Sequence, residues 1–393
     1  MVAKRILISG ASIAGPALAR WLGRNGFDVT IIEKAPAIRP GGQAVDFKGR
    51  THHDVLVRMG ILEDVYAEQT ARTDWRMVDA DDNVKAVIPG EFIGGDVEVL
   101  RGDLAGILHR HSAADAEYVF DDEITAMTES DTGVDVTFAH RADESFDLVL
   151  GADGVHSAVR RLAFGPEKDF TESYGYYYAV LSGEAPLGNL PTQLPDGRGI
   201  AYGYNTPSRL VLLGGLKAPQ LFVFRAEPSD YDRHDVDSQR ALLESAFAGV
   251  GWRVPAALEA ARDAPHFYLD ALTRTRMTSF TRGRVALVGD AGYANTLGGF
   301  GTGLALVGAY VLAGELVAAG GDHVAAFAAY DRRMSKVTRI ARSGHAGPFL
   351  APPSMLRTWM RNLTFTNRLM FRSMMWMTNI FATEDDIPDY RMH

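Results

Sequence analysis

Glycine-rich turns follow three strand-like apolar runs in this sequence, and each turn leads into a helix-like segment. The turns occupy residues 10–15, 151–154 and 289–292. Continuous apolar runs that alternate with helical segments are typical of parallel strands covered on both faces. The carboxyl ends of parallel strands meet at one edge of a sheet, where open α/β folds bind their ligands. We therefore expect the three turns to form one site.

The first turn reads Gly10-Ala11-Ser12-Ile13-Ala14-Gly15, a GxGxxG pattern with serine in the second glycine position. The glycines permit a tight turn and close packing of helix on strand, and a small residue at position 12 lets a pyrophosphate approach the backbone. Glu33 ends the second strand, at the distance where an acidic residue binds ribose hydroxyls in dinucleotide sites. A structural glycine turn with Glu33 on the surface is the alternative. The residues of the predicted dinucleotide site are Gly10, Ser12, Ile13, Ala14, Gly15, Glu33 and Lys34.

The second and third turns combine glycine with an aspartate. Asp153 and Gly154 follow a buried strand and precede a helix, and Asp290 follows the strand that ends near residue 289. The third turn leads into a glycine cluster at the start of a long helix, where bare N–H groups favour an anion by roughly 0.3–1 kcal/mol. For each motif alone, a structural Asp-Gly turn is the alternative. The cluster contains Gly298, Gly299, Gly301, Thr302 and Gly303.

The stretch from about 170 to 270 differs in texture from the rest of the chain. Aromatic residues and Gly/Pro turns dominate it, as is typical of antiparallel strands, and two helices are expected near 239–261. The predicted fold class is α/β, with a Rossmann-like domain and an inserted, mainly antiparallel β-sheet domain for the substrate. The expected boundaries are 1–73, 97–169 and 271–346 for the first domain, 74–96 and 170–270 for the second, and 347–393 for a C-terminal amphipathic helix.

Composition excludes several classes of protein. Asp and Glu outnumber Lys and Arg by 49 to 40, so the net charge is −9 and no nucleic-acid partner is expected. The chain contains no cysteine, which excludes disulfides and thiolate catalysis. His52 and His53 are interpreted as a solvated surface pair, and no metal site is predicted. The first residues do not resemble a secretory leader, so a cytoplasmic location is expected.

The three motifs, in this order, resemble those of the class A FAD-dependent aromatic hydroxylases, the para-hydroxybenzoate hydroxylase group. The resemblance covers roughly residues 4–345. Within that family, the segments 39–46 and 98–104 are most similar to the tetracycline-inactivating flavin monooxygenases. The fold expected from the resemblance is an FAD-binding domain that carries a substrate domain and a C-terminal helix bridging the two.

The resemblance also implies roles for individual residues. Glu33 would hold the adenosine ribose, Arg101 would contact the flavin, and Gln43 lies in a segment similar to the family's cofactor site. Asp153 with Gly154 matches the motif used for FAD and the nicotinamide cofactor, and Asp290 matches the aspartate near the ribityl chain. One departure is that Gly292 and Tyr293 replace the Ala-His that often follows this aspartate in the family. Because of that departure, the resemblance supports flavin binding more strongly than it supports movement of the flavin.

The activity implied by the resemblance is monooxygenation with NADPH or NADH and O2. The substrate would be an aromatic, polyketide or tetracycline-like compound, which the enzyme would hydroxylate or oxidatively inactivate. No side chain is assigned as catalytic, because the flavin performs the oxygen transfer and the protein supplies position and water exclusion. Two alternatives stay open: a reductase of the superfamily that saturates isoprenoids, and a flavin-containing protein that only sequesters its ligand. The sequence does not predict an oligomeric state.

Aromatic residues of the inserted domain are candidates for substrate contact. The residues we select are Tyr202, Phe222, Phe224 and Arg225. Packing within the sheet is the competing interpretation for each of them.

The C-terminal segment combines apolar residues at helical spacing with a separate stripe of arginines. We expect the apolar stripe to be buried where this helix bridges the two domains. A membrane-surface helix with a basic polar face is the alternative, and the less favoured one. The stripe contains Leu356, Trp359, Met360, Leu363, Met370, Met374, Met377 and Phe381.

Overall fold

The computed structural model describes residues 4–214, 220–227, 232–298, 301–341, 346–380 and 387–393, with the side chains of 340, 341 and 375–380 left out. The strands are β1 Arg5–Ser9, β2 Asp28–Glu33, β3 Ala44–Phe47, β4 Thr73–Val78, β5 Val84–Ile88, β6 Val97–Leu100, β7 Glu117–Phe120, β8 Ile124–Glu129, β9 Val134–Phe138, β10 Glu144–Phe146, β11 Leu148–Gly151, β12 Thr171–Leu181, β13 Gly199–Thr206, β14 Arg209–Gly214, β15 Gln220–Arg225, β16 Phe267–Thr275, β17 Thr281–Arg282 and β18 Val285–Leu287.

Helices cover both faces of one sheet and one face of another. They are α1 Ala14–Arg24, α2 Gly49–Met59, α3 Leu62–Ala67, α4 Gly90–Ile93, α5 Arg101–Ser112, α6 Ala158–Ala163, α7 Val236–Phe247, α8 Val254–Arg262, α9 Asp290–Tyr293, α10 Gly301–Ala318, α11 His323–Ala341, α12 Ala346–Leu350, α13 Met355–Thr366 and α14 Arg368–Ile380. A single 3-10 turn at Glu167–Asp169 follows α6.

A six-stranded sheet carries the three glycine turns. Its order is β17-β18-β11-β1-β2-β7, and every neighbouring pair except β17 with β18 is parallel. The central strand β1 is apolar because both of its faces are covered, and Ile6, Leu7 and Ile8 have no exposed surface. The turns after β1, β11 and β18 therefore leave the sheet side by side, as the sequence predicts.

A seven-stranded sheet forms the second large element, with the order β16-β12-β15-β14-β13-β4-β5. Its pairs are antiparallel except β13 with β4. Residues alternate between its two faces. One face packs under α7 and α8, where Phe247 contacts Phe222 and Phe224. The other face carries Tyr178 and Leu272 and is the one that packs against Leu297, just after the third turn.

The edge strand β16 joins the two sheets. The Thr275 N–H donates to the Ala294 carbonyl at 2.9 Å, and the Thr296 N–H donates to the Thr273 carbonyl at 3.0 Å. Strand β16 is thus hydrogen-bonded within the seven-stranded sheet and, at its end, to the segment after Asp290. The predicted α/β class, with an inserted and mainly antiparallel sheet, is confirmed.

The C-terminal segment contains three helices where the sequence predicts one, and its apolar stripe is not buried. Leu356, Trp359 and Met360 are 66%, 60% and 55% exposed, whereas Phe365 packs on Phe92 and Phe349. The expectation of a buried stripe is therefore wrong for α13, because its polar Arg361 face meets the sheet. Arg361 donates to Asn205 and to the carbonyls of Phe349 and Leu350. The side chain of Met377 and all of Phe381 lie outside the described residues.

The last residues return to the six-stranded sheet's side of the molecule. Tyr390 donates to Glu315 at 2.7 Å, and the Pro388 carbonyl accepts from Tyr310 at 2.8 Å. A Cβ on Gly314 would lie 2.1 Å from the Tyr390 ring, so this glycine makes room for the ring on α10. Helix α10 is long and apolar enough to cross a membrane by length and composition, but it packs mainly inside the protein, with 72% of it buried.

Candidate active site

The first two glycine turns touch each other. Gly10 has a φ of 103°, and a Cβ there would lie 2.5 Å from the Ala152 carbonyl oxygen in the second turn. A Cβ on Gly15 would lie 1.9 Å from the Gly10 carbonyl oxygen. Helix α1 then begins without a side-chain cap, so the first N–H groups, those near Ile13 and Ala14, stay open to a phosphate.

Glu33 lies at the end of β2, where the dinucleotide interpretation requires it. Its two carboxylate oxygens accept from the N–H groups of Ala11 and Ala35, each at 2.9 Å, and Arg39 lies 3.6 Å away. The carboxylate thus fixes the glycine loop against the end of β2. Lys34, the next residue, is exposed.

Arg101 opens α5 directly below the first turn. Its Nη1 donates to the Ser12 hydroxyl at 2.8 Å, and its backbone N–H donates to the Gln43 carbonyl at 3.0 Å. Burial lowers the pKa of Arg101, Arg39 lowers it further, and Asp290 opposes both. The structure therefore brings Ser12, Gln43 and Arg101 together, with Ser12 at the guanidinium group of Arg101 and the Gln43 carbonyl at its backbone N–H.

Asp290 begins α9 after Gly289, whose φ of 65° permits the turn out of β18. Burial raises the pKa of the Asp290 carboxyl, and the charge of Arg101 counteracts that effect. A Cβ on Gly301 would lie 3.5 Å from Asp290 Oδ1, so the bare start of α10 borders this carboxylate. An arginine and an accessible aspartate beside a helix N-terminus can bind a polar ring and a hydroxylated chain.

Asp153 performs a structural task at the start of α6. Its Oδ2 accepts from the Val159 N–H at 3.1 Å and from the Ser9 hydroxyl at 3.5 Å, and burial raises its pKa. Gly154 has a φ of 82° with open space beside it. These contacts hold the second turn against β1.

Arg160 follows the second glycine turn and is not among the residues expected at the site. Its side chain has no exposed surface, and it donates to the carbonyls of Ala291 at 2.9 Å and Val155 at 2.6 Å. It therefore ties the second turn to the third. Two consecutive arginines, Arg160 and Arg161, in the short helix after the turn were the available sequence signal.

The interpretation of His52 as a solvated residue is wrong. The ring is 2% exposed, burial lowers its pKa to about 4, and a Cβ on Gly303 would lie 2.3 Å from it. Position 303 is therefore a glycine because a larger residue would collide with the neutral imidazole that packs on the first turn of α10. His53 remains half exposed, as expected for the surface. Thr302 lies in that same turn, Gly298 packs on Asn295, and Gly299 lies outside the described residues.

The predicted substrate contacts at Tyr202, Phe222 and Phe224 are corrected by the structure. Each is at most 2% exposed, and all three face α7 and α8, away from the glycine turns. The Tyr202 hydroxyl donates to the Pro191 carbonyl. Arg225 follows Phe224 by one position, so it points to the opposite face, at the exposed end of β15.

Tyrosines on the other face of the seven-stranded sheet lie on the side that packs against Leu297, just after the third glycine turn. Tyr178 and Tyr268 lie on neighbouring strands with ring centroids 5.8 Å apart, and their electrostatic influence reaches Arg101. Tyr268 is 44% exposed, yet burial raises its pKa well above the usual tyrosine range. That combination is typical of a side chain that lines a concave site. Strand alternation identifies the two faces, but sequence does not say which one meets the glycine turns.

A dinucleotide cradle that opens onto a tyrosine-lined cleft defines a flavoprotein oxidoreductase. Residues 4–339 match the FAD binding domain family, and the chain belongs to that family, among its flavin-dependent monooxygenases. It is 41% identical over 339 residues to a flavin-dependent monooxygenase from an unknown prokaryotic organism, covering 84% of this chain and 85% of that protein. A flavin-dependent monooxygenase of Legionella longbeachae is 35% identical over 339 residues, covering 83% of this chain and 84% of that protein.

Two solved structures share the whole architecture. The tetracycline destructase Tet(51) superposes with a TM-score of 0.81 at 32% identity, covering 99% of this chain and all of that one. The tetracycline destructase Tet(55) superposes with a TM-score of 0.79 at 35% identity, and the match covers 98% of this chain and 99% of that one. The resemblance stated from the sequence motifs is confirmed.

Proposed function

We propose that this chain uses NAD(P)H and O2 to hydroxylate or oxidatively inactivate a phenolic, polyketide or tetracycline-like compound. The observation that carries the proposal is the convergence of Arg101 and Asp290 with Tyr178 and Tyr268, because it joins the cofactor cradle to a polar, aromatic cleft. The names of the two destructases support the tetracycline-like class for the substrate. A cytoplasmic location belongs to the proposal, since NAD(P)H is supplied there.

The residues present fit FAD. A side chain at Gly10 or Gly15 would collide with backbone, and the uncapped start of α1 offers N–H groups to a pyrophosphate. Glu33 would bind the adenosine ribose, and Asp290 would bind the ribityl hydroxyls. When bound, FAD would accept hydride from NAD(P)H and then activate O2 for transfer to the substrate.

The chain's own contribution is position and exclusion of water. Arg101, held by Ser12, would fix the ring system from one side, and Tyr178 and Tyr268 would face the substrate from the sheet. Helix α13 closes the far end of that sheet, where it packs beside β5 through Phe365 and Phe92. A dry, shaped cleft strengthens each electrostatic contact inside it.

The test begins with the cofactor. The purified protein should release FAD and not FMN, and its bound flavin should bleach with NADPH or NADH and recolour in air. Phenols, polyketides and tetracyclines are then screened for stimulated NAD(P)H oxidation, and products are weighed by mass spectrometry. A gain of one oxygen atom supports the proposal. Reduction of an isoprenoid, or a flavin that does not cycle, would instead support one of the two alternatives and overturn it.

A further inference from the structure

Helix α13 presents a continuous apolar row to solvent. Leu356, Trp359, Met360 and Leu363 stand at positions i, i+3, i+4 and i+7, which places them on one side of a helix. All four side chains are exposed, and Met355 at the start of the helix is 57% exposed as well. One whole side of this surface helix is thus apolar and in contact with water.

The opposite side of α13 holds the helix to the protein. Thr358 is buried there, and Phe365 packs on Phe92. Arg361 donates to the side chain of Asn205 at 2.8 Å. Turning the helix so that its apolar row met the sheet would break these contacts. The row is therefore available to a partner outside the chain.

The charge around the row has one sign. Residues 346–383 contain four arginines and no lysine, aspartate or glutamate, although the chain as a whole carries a net charge of −9. Arg357 precedes Met360 by three positions and so borders the row, and its side chain is exposed. Arg368 and Arg372 of α14 are exposed too. Helices α13 and α14 thus offer a partner an apolar surface that is bordered by positive charge only.

These two properties distinguish between partners. A closed contact between two copies of the chain through this face would need a self-complementary surface. The face lacks one, because segment 346–383 has no acidic residue to pair with the arginines of a second copy. A bilayer with anionic phospholipids matches both properties, since its acyl chains accept the apolar row and its phosphates accept guanidinium groups. Charge complementarity therefore favours lipid.

We propose that α13 is an interfacial helix that binds the protein to the surface of a membrane containing anionic phospholipids. The helix lies in the plane of the interface, with its apolar row among the upper acyl chains and Trp359 at the level of the headgroups. Arg357 reaches the phosphates beside the row, and the arginines of α14 add to the positive potential. The contact is peripheral, so it agrees with a cytoplasmic location, where anionic lipids give the membrane surface a negative potential.

The position of α13 gives this contact a consequence for the substrate. Phe365 on its inner side and Leu297 after the third glycine turn pack against one apolar cluster, of which Tyr178 is a member. A bilayer on the outer side is thus separated from that cluster by a single helix, about 10 Å thick. Ring compounds that dissolve in lipid would reach this side of the seven-stranded sheet by a short path. That consequence rests on the proposed function, whereas the lipid contact does not.

The first experiment measures lipid binding by the full chain without turnover. Cosedimentation compares vesicles of phosphatidylcholine with vesicles of an equal mixture of phosphatidylcholine and phosphatidylglycerol. The protein should bind the mixed vesicles about tenfold or more tightly, and added salt should weaken that binding. Arg357→Gln should lower the affinity about fivefold. Arg24→Gln, at an exposed arginine on α1, is the control and should bind as wild type. Equal binding to both kinds of vesicle, or to neither, would overturn the proposal.

The second experiment tests the apolar row. Trp359→Ala combined with Met360→Ala should lower the affinity for mixed vesicles by about tenfold or more, because two apolar side chains no longer enter the lipid. Val57→Ala combined with Val324→Ala, at exposed residues of α2 and α11, is the matched control. Thermal unfolding shows that both double variants fold. Unchanged vesicle binding in the first variant would contradict the proposal. So would a wild-type dimer in analytical ultracentrifugation that this variant abolishes, because it would assign the face to a second copy.

The third experiment locates the contact by fluorescence. Mixed vesicles should shift the tryptophan emission of the wild type to the blue, and phospholipids brominated near the headgroup should quench it. The chain has five tryptophans, so Trp359→Phe assigns the signal. That variant should still bind but lose most of the shift and the quenching, and a shift of wild-type size would place the contact elsewhere and refute the proposal. A protein that binds vesicles as expected but consumes no NAD(P)H would overturn the proposed function alone.

Discussion

Ser12 accepts a hydrogen bond from the guanidinium group of Arg101 across a gap of 2.8 Å. This contact explains why the second glycine position of the first turn carries a serine. A glycine would leave more room for a pyrophosphate, but it would leave one N–H of a largely buried arginine without this partner. The turn thus orients the cation, and under the proposed function it would also cradle the pyrophosphate of FAD.

Replacing Ser12 by alanine is expected to weaken FAD binding. A hydrogen bond to a charged group contributes about 1.5–3 kcal/mol, so the dissociation constant should rise by about tenfold or more. Ser12→Thr keeps the hydroxyl and should retain most of the affinity. Fluorescence titration of the cofactor-free protein with FAD gives both constants. Equal affinity in Ser12→Ala and wild type would show that Arg101 does not depend on this hydroxyl.

Replacing Asp290 by alanine is expected to lower FAD occupancy while the fold stays intact. The carboxylate borders the glycine start of α10, and its negative charge acts on Arg101. Flavin absorbance per protein and far-UV circular dichroism report the two properties separately. Asp263→Ala, at an exposed position after α8, is the control. Full flavin content in the Asp290→Ala protein would remove this residue from the site.

Stability is expected to fall as pH rises from about 4 to 7 because of a carboxylate pair on the ribbon of β3 and β6. Asp46 and Glu98 face each other in register, and burial together with Glu98 raises the pKa of Asp46 to about 7. The folded state therefore holds a proton that the unfolded state releases near pH 4, so stability present at low pH is lost between about pH 4 and 7. Asp46→Asn should flatten this part of the profile, measured by urea unfolding at several pH values. A profile identical to wild type would contradict the raised pKa.

The exposed stripe of α13 is expected to contribute little to stability. Trp359→Ala combined with Met360→Ala should change the free energy of unfolding by less than about 1 kcal/mol, because these two residues of α13 are 60% and 55% exposed. Phe365→Ala is the contrasting variant, and it should cost about 3 kcal/mol by breaking its contacts with Phe92 and Phe349. Vesicle cosedimentation of the double variant tests the membrane-surface alternative. Strong destabilisation by the double variant would restore the buried-stripe interpretation.

Local sequence signals predicted the six-stranded sheet well. The apolar run expected before the first glycine turn agrees with β1, and the second strand, expected to end at Glu33, agrees with β2, since continuous apolar runs and glycine turns act over a few residues. Gly60, with a φ of 70°, ends α2 and separates it from α3, as a glycine at a helix C-terminus commonly does.

Contacts between distant segments were less accessible to sequence reasoning. The burial of His52, for example, depends on the size of Gly303. The prediction of substrate contact at Phe222 and Phe224 was wrong because alternation along a strand assigns residues to two faces of the sheet. It does not show which segment packs on each face. The glycine turns could be predicted because their constraint lies in the backbone, whereas the cleft is made by the meeting of two sheets.

The hydrogen bonds at Pro388 and Tyr390 change what helices α13 and α14 can do. The segment is held at its start by the packing of Ala351 and at its end by α10, so it is a loop closed at both ends. Chain connectivity then limits how far the exposed face of α13 can swing from the molecule, and little entropy is gained when it does. We expect this segment to move only a short distance, as a flap attached at both ends would. Such a motion fits repeated opening to a bulky ligand better than the motion of a segment attached at one end.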